Sequence, residues 1–175
     1  MLLPNCSSSR RAIPFEAVAL KSGSTDMAIN VDSAEEGNRL RSVFSRKMSF
    51  AKSKGISFQF DGPDGFIAWW NNALLQQRGS CAYCETPIRI IRELINRRLI
   101  AGRNGKVPDA RGPNFEIDRK DGKGAYSADN CVLACLYCNN DKSNIYDHVT
   151  YKEFLGPARS RHFRYLAEQA GLSWD

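Results

Sequence analysis

Two Cys-x-x-Cys motifs constrain this chain more than any other feature of its sequence. The first cysteine pair is Cys81 and Cys84, and the second cysteine pair is Cys135 and Cys138. Each motif forms a turn that directs two thiolates to one point, and two such motifs complete the tetrahedral sulfur shell that Zn²⁺ prefers. A disulfide pair is the alternative, but it needs an oxidising compartment, and the N-terminal residues lack the pattern of a secretory signal. We therefore expect a structural zinc site that joins two distant parts of the chain.

The basic charge balance narrows the kind of partner that the protein binds. Lys and Arg outnumber Asp and Glu, and the 175-residue chain carries a formal net charge of +6. An excess of positive charge favours an anionic partner, and nucleic acid, an acidic protein and a membrane surface all satisfy that condition. The purely apolar runs are far shorter than the roughly 20 residues of a membrane span. We expect one cytoplasmic globular domain that does not enter a membrane.

Hydrophobic periodicity predicts a helical N-terminal half. Residues 1–35 mix serines, turn formers and a basic pair, and are expected to form a loosely structured N-terminal arm. Residues 36–80 are expected to form a basic helical region. Its first helix covers residues 36–54, and its second helix is an amphipathic core helix that starts at an N-cap, Asp64.

The cysteine pairs belong to a second region, residues 81–156. It includes a helical insertion at 86–102, which is expected to start at an N-cap, Thr86, followed by proline. The insertion has an apolar stripe that consists of Ile88, Ile91, Ile95 and Leu99. Residues 157–175 are expected to form a basic C-terminal tail or helix.

The second cysteine pair ends a pattern of two short strands and a helix. Residues 115–119 alternate between apolar and polar side chains, residues 120–130 form a polar loop, and residues 131–134 are a short apolar run. A helix then starts at Cys135. The order strand, loop, strand, helix is a ββα unit, in which Cys131 is a buried small residue. The predicted fold class is α+β, a helical N-terminal half followed by a zinc-stapled ββα motif.

Residues within this ββα unit resemble a known family. They are Asp118-Arg119-Lys120-Asp121, Tyr126, Asp129-Asn130, and the run Cys135-x-x-Cys138-Asn139-Asn140-Asp141-Lys142-Ser143-Asn144. With these residues the sequence resembles the HNH branch of the ββα-metal endonucleases. It looks closest to a phage and bacterial subgroup that reads Asp-Arg-x-Asp in place of Asp-His. The similarity covers about residues 45–156, including the basic helix and a tryptophan-bearing helix before Cys-x-Tyr-Cys.

The resemblance implies an endonuclease that hydrolyses DNA phosphodiester bonds at a one-metal site. One divalent cation, Mg²⁺ or Mn²⁺, would be bound by Asp118 on the first strand and Asn139 on the helix. Oxygen donors of this kind suit a hard cation that keeps several waters. The cation would neutralise charge on the leaving 3′ oxygen. The resemblance also implies that Asn130 braces the loop between the strands and that Lys142 faces phosphate.

Arg119 stands where the family has its general base, a histidine. Arginine keeps its proton because its pKa exceeds about 12. Three accounts are open. Arg119 clamps the phosphate while another group or solvent takes the proton; Asp121 is the base; or the chain binds DNA without cutting it well. His148 is a further candidate base outside the motif, and Tyr126 suits a phosphate contact better than a base.

Two functions of different class follow. The first is the metal-dependent endonuclease, and the second is a zinc-stapled DNA-binding module with weak or no nuclease activity. Both predict double-stranded DNA as the partner, in the cytoplasm of a bacterial cell or a phage-infected host, and both leave a homodimer open. The residues expected to contact nucleic acid are Arg46, Lys47, Arg92, Arg97, Arg98, Lys120, Lys123 and Tyr126.

Overall fold

A computed structural model describes residues 34–103 and 111–174 of the chain. Helices and a two-stranded sheet follow one another along this part of the chain, which confirms the α+β class. The helices are α1 (Ala34–Ser53), α2 (Gly62–Gln76), α3 (Ile88–Asn96), α4 (Leu136–Lys142), α5 (His148–Thr150) and α6 (Gly156–Gln169), with a π-helical turn at Tyr151–Leu155. The strands are β1 (Glu116–Arg119) and β2 (Cys131–Ala134). The arm predicted at residues 1–35 lies outside the described residues up to residue 33.

The first two helices pack against each other through large aromatic side chains. Leu40 and Phe44 of α1 and Phe66 and Trp70 of α2 are buried. Their four-residue spacing places them on one face of each helix. The rings of Phe44 and Phe66 meet edge to face with centroids 5.7 Å apart, which adds about 1 kcal/mol to the burial of their apolar area. Among the described helices, none combines the length and apolarity that crossing a bilayer would require.

The start of α2 differs from the prediction. Asp64 is not the N-cap, because the helix already begins at Gly62 and its N-cap is Asp61. Pro63 occupies the first turn, where its missing N–H leaves no hydrogen bond unmade. Asp64 instead forms an exposed ion pair with Arg41 at 2.6 Å, which ties the start of α2 to α1.

The helical insertion predicted at 86–102 is shorter in the structure. Thr86 is not its N-cap: Pro87 holds that position, and Thr86 is fully buried. The helix α3 ends early because Arg98 adopts a left-handed φ of 58° and the chain closes back on the last turn. Leu99 therefore lies beyond the helix and is 42% exposed, whereas the three isoleucines of the predicted stripe are buried.

The β-hairpin and α4 form the predicted ββα unit. The two strands are antiparallel, and Asp118 lies opposite Val132. Successive residues of a strand point to opposite faces, so Glu116 and Asp118 share one face of β1. The helix α4 starts two residues after β2 and packs against β1. Its side chains Asn139 and Lys142 make hydrogen bonds or ion pairs with that face.

The C-terminal helix α6 completes the core. It packs against α3, and its first residue, Gly156, lies directly against the backbone of Tyr83 in the first cysteine pair. A Cβ at Gly156 would overlap the carbonyl oxygen of Tyr83, so only glycine allows this close approach. The basic C-terminal segment predicted as a tail or helix is therefore largely helical and anchored.

Candidate active site

The four paired cysteines form one buried cluster. The sulfur atoms of Cys81, Cys84, Cys135 and Cys138 all lie within 4.8 Å of one another, and each residue is at most 1% exposed. The sulfurs of Cys84 and Cys135 are 4.0 Å apart. That distance is close to the edge of a tetrahedron with metal–sulfur bonds of about 2.3 Å. All four are free thiols, so the cluster fits a structural metal and the disulfide alternative is not what the structure shows.

Hydrogen bonds within the cluster favour the thiolate at Cys84, whereas hydrogen bonds from the neighbouring sulfurs raise the pKa of Cys135 above its usual range. The backbone N–H groups of Cys135 and Cys138 donate to the sulfurs of Cys81 and Cys135, respectively. Hydrogen bonds from the three neighbouring sulfurs hold the pKa of Cys84 well below its usual range. Metal ligation requires thiolates, and donors of this kind stabilise them.

Tyr83 connects the cysteine cluster to the candidate catalytic acid, Asp118. Tyr83 lies between the two cysteines of the first pair, and its hydroxyl donates a hydrogen bond of 2.6 Å to Oδ2 of Asp118. Burial raises the pKa of Asp118, and the hydrogen bond from Tyr83 opposes that shift. Burial, and the neighbouring carboxylate, raise the pKa of Tyr83 well above its usual range, so it stays a donor. The orientation of Asp118 is therefore set from the cysteine cluster.

Lys142 is the second partner of Asp118. Its Nζ lies 3.1 Å from the same oxygen, Oδ2, and donates to the backbone carbonyls of Arg119 and Ser143. The side chain is 1% exposed, so Lys142 does not face solvent as the expected phosphate contact requires. Both donors reach Oδ2, and none of the described residues donates to Oδ1 of Asp118.

Asn139 makes its side-chain hydrogen bond to Glu116, and not to Asp118, the acid expected to share a metal ion with it. Its Nδ2 donates a hydrogen bond of 2.7 Å to Oε2 of Glu116, and Nε of Arg111 donates to the other carboxylate oxygen at 2.7 Å. No hydrogen bond joins Asn139 directly to Asp118 within the described part of the chain. Because Glu116 shares a strand face with Asp118, two carboxylates and one carboxamide line this side of the hairpin. Oxygen donors of this kind suit Mg²⁺ or Mn²⁺.

The loop between the strands is braced at both ends. Arg119 donates to the carbonyl of Gly124 at 2.6 Å, and its guanidinium lies 4.8 Å from the ring centroid of Tyr126. The side chain of Asn130 accepts a hydrogen bond from the N–H of Asp121 and donates to two loop carbonyls. Tyr126 is only 5% exposed, so its burial does not fit the phosphate contact expected from the sequence.

No protein-family model and no curated protein matches the chain. A solved structure, that of the rare-cutting HNH restriction endonuclease PacI, superposes with a TM-score of 0.58. The two chains are 23% identical, and the match covers 85% of this chain and 94% of that chain. The chain has the HNH endonuclease fold.

Within the HNH fold, the two further candidate bases have no contact with the candidate acid. Asp121 is exposed, and its carboxylate accepts a hydrogen bond of 2.9 Å from the N–H of Lys123. His148 is the first residue of α5, and no contact joins it to Asp118 or Arg119 in the described ranges. The residue that follows the strand acid is therefore an arginine whose guanidinium contacts Gly124 and Tyr126, and neither histidine of the chain contacts Asp118 in the described residues.

The basic residues expected to contact nucleic acid fall into two groups. Arg92 donates to the carbonyl of Pro113, and Arg97 pairs with Glu93 at 2.6 Å, so these two guanidinium groups already have partners in the protein. In the part of the chain that the structure describes, the others form no ion pair; Arg46, Arg98 and Lys123 are exposed, while Lys47 and Lys120 are half-buried.

Sequence analysis missed Glu116, Arg111 and Tyr83. The two-residue spacing of Glu116 and Asp118 on a predicted strand was a signal for a shared face. Tyr83 had no such signal, because 35 residues separate it from Asp118 and only the folded chain brings them together. The same holds for Asn139 and Glu116, which are 23 residues apart.

Proposed function

We propose that the protein is a metal-dependent endonuclease that hydrolyses phosphodiester bonds in DNA. The observation that carries this proposal is the buried carboxylate of Asp118, held by two donors on Oδ2 with none from the described residues on Oδ1, on the strand face where Asn139 meets Glu116. A buried carboxylate that is oriented by two donors, and whose second oxygen receives no donor, suits a ligand. The similarity to a structure described as a restriction endonuclease supports the same function.

Two metals with different roles belong to the proposal. The four cysteines would hold a structural Zn²⁺, and Asp118 and Asn139 would hold Mg²⁺ or Mn²⁺, with Glu116 as a further oxygen donor. When bound, the hard cation supplies neutralisation of charge on the phosphate and on the leaving 3′ oxygen. Tyr83 and Lys142 keep Asp118 oriented and oppose the effect of burial, which raises the pKa of the carboxyl group.

Arg119 is proposed as a phosphate clamp. Its guanidinium is fixed in the loop by Gly124 and by the ring of Tyr126, and it cannot accept a proton from water. The proton of the attacking water would then pass to solvent or to Asp121. Replacement of Asp121 by asparagine distinguishes the two routes, because only the second predicts a loss of rate at neutral pH.

One observation favours the second function, a DNA-binding module with weak or no nuclease activity. No histidine contacts Asp118 or Arg119 in the described ranges. General-base catalysis contributes typically 10²–10⁴-fold, so a site without a base would cut slowly. In that case Arg119→His would raise the rate of cleavage.

Digestion of DNA by the purified protein separates these functions. Supercoiled, linear and single-stranded DNA are incubated with Mg²⁺, Mn²⁺ or EDTA, and binding is followed by gel shift in parallel. The endonuclease predicts nicked or linear product from supercoiled DNA with either cation, none with EDTA, and none from Asp118→Ala. Binding without product in any condition would support the module, and neither binding nor product would contradict both functions.

A further inference from the structure

Lys47 differs in burial from the other basic residues between residues 41 and 54. Arg41, Arg46, Lys52 and Lys54, the other cations between residues 41 and 54, are exposed, whereas Lys47 is half-buried. All five belong to the same basic stretch of the sequence, so their separation into a buried and an exposed group is a property of the fold.

The ammonium group of Lys47 lies near Tyr126, in the loop between β1 and β2. Its Nζ is 5.8 Å from the ring centroid of Tyr126, and the guanidinium of Arg119 is 4.8 Å from the same centroid. The position of that ring is fixed from the segment that follows α1, because Tyr126 exchanges backbone hydrogen bonds with Ser57 and Gln59. Two cations from different elements, α1 and the ββα unit, therefore lie next to the same aromatic ring.

Glu116 and Asp118, the two acids of the candidate site, affect the pKa of Lys47 but form no ion pair with it. Burial lowers the pKa of Lys47, while the nearby Glu116 and Asp118 raise it. Within the described part of the chain, Lys47 makes no ion pair within 4.0 Å; Asp118 pairs with Lys142, and Glu116 pairs with Arg111. Both acids are thus already neutralised by other cations, and Lys47 and Arg119 are positive charges in excess.

A site with excess positive charge suits a phosphodiester, which is an anion. We propose that Lys47 is a catalytic residue whose ammonium contacts a non-bridging oxygen of the scissile phosphate. This inference rests on the proposed nuclease function. As water adds to phosphorus and the bond to the 3′ oxygen breaks, negative charge grows on the phosphoryl oxygens, and a fixed cation in a partly desolvated site stabilises it. Lys47 supplies charge and takes no proton.

This role predicts a different kinetic effect from that of a general contact with the DNA backbone. A contact that strengthens in the transition state changes the rate of the chemical step, whereas a general contact with the DNA backbone changes affinity and its salt dependence. Removal of one fixed donor to a developing oxyanion costs about 10²–10³-fold in the rate constant. Loss of Lys47 is therefore expected to lower the rate even at saturating DNA.

The test compares Lys47→Met with Lys52→Met, a matched change at an exposed position of α1. Single-turnover cleavage of plasmid DNA in Mg²⁺ is measured over a range of protein concentrations to separate the maximal rate from the apparent affinity. Lys47→Met is expected to lower the maximal rate about 100-fold with an affinity within threefold of wild type, and Lys52→Met to leave the maximal rate unchanged. Lys47→Arg, which keeps the charge, is expected to recover most of the rate.

Each outcome bears on one claim. If wild type cuts DNA and Lys47→Met cuts at the wild-type maximal rate, or loses affinity alone, the inference is overturned and Lys47 is an ordinary backbone contact. If wild type cuts no DNA with any metal, the proposed function fails. Thermal unfolding and zinc content of each variant establish that it is folded; should Lys47→Met not fold, Lys47→Gln replaces it with the same expected loss.

Discussion

The hydrogen bond between Tyr83 and Asp118 allows a quantitative prediction, because the same fold contains a matched control. Tyr83→Phe removes a hydroxyl that donates at 2.6 Å to a carboxylate that is 8% exposed. Hydrogen bonds to charged groups contribute about 1.5–3 kcal/mol, and water cannot replace a lost donor at a buried site. For a chain of this size, about 2 kcal/mol corresponds to a decrease of about 4–8 °C in Tm.

The control is Tyr151→Phe. Tyr151 packs edge to face on Tyr83 with ring centroids 5.3 Å apart, and its hydroxyl donates at 2.9 Å to Asp141. The side chain of Asp141 is 46% exposed and also meets Arg159, so water and a second partner compensate the loss. We expect a cost of about 0.5–1 kcal/mol, or about 1–4 °C. Differential scanning calorimetry measures both, and equal shifts for the two variants, or a smaller shift for Tyr83→Phe, would refute the reasoning.

Three further predictions concern stability. Lys142→Met leaves Asp118 buried without its ion pair and should lower the free energy of unfolding, measured in urea, by about 3–5 kcal/mol. The control, Lys123→Met at an exposed position, should change it by less than about 0.5 kcal/mol. A small effect of Lys142→Met would contradict its structural role. Gly156→Ala places a methyl group against the carbonyl of Tyr83 and should lower the free energy of unfolding by about 1–3 kcal/mol. Gly37→Ala in α1, with open space around it, should raise the free energy of unfolding by up to about 1 kcal/mol. If thermal unfolding shows that both changes stabilise the protein, the close approach of Gly156 to Tyr83 is ruled out. Burial raises the pKa of Cys131 to about 12 from an ordinary value of 9.0. As pH rises, the thiol of the unfolded chain therefore loses its proton before the thiol of the folded chain does. The free energy of unfolding should fall by up to about 1.4 kcal/mol per pH unit between pH 9 and pH 12. Cys131→Ala should remove that part of the pH dependence in urea titrations, and an unchanged slope would show that the thiol is not held neutral.

Features set by local spacing were predictable from the sequence. The two cysteine pairs belong together because four thiols in two Cys-x-x-Cys turns have few other stable arrangements, and the structure brings all four sulfurs within 4.8 Å. The ββα unit was predictable for a similar reason. Alternation over 115–119, a polar loop and a short apolar run each specify one element.

Features set by tertiary contacts were not predictable. The helix ends depend on turn conformations such as the left-handed Arg98, and a helical stripe alone does not show where the chain leaves the helix. The partners of Asp118 and Asn139 come from distant segments. The family resemblance implied that Lys142 faces phosphate, but packing against Asp118 buries it.

Cleavage of supercoiled plasmid by two neighbouring asparagine variants tests the central claim most directly. Asn139 meets Glu116 on the acid-lined side of the hairpin, whereas the adjacent Asn140 is exposed on the same helix. The account predicts Mg²⁺-dependent nicking by wild type and by Asn140→Ala, and a loss of at least about 100-fold in Asn139→Ala, equal to about 2.7 kcal/mol in the activation barrier. If Asn139→Ala, folded and with its zinc retained, cuts as fast as Asn140→Ala, the metal site between β1 and α4 is not where the chemistry takes place.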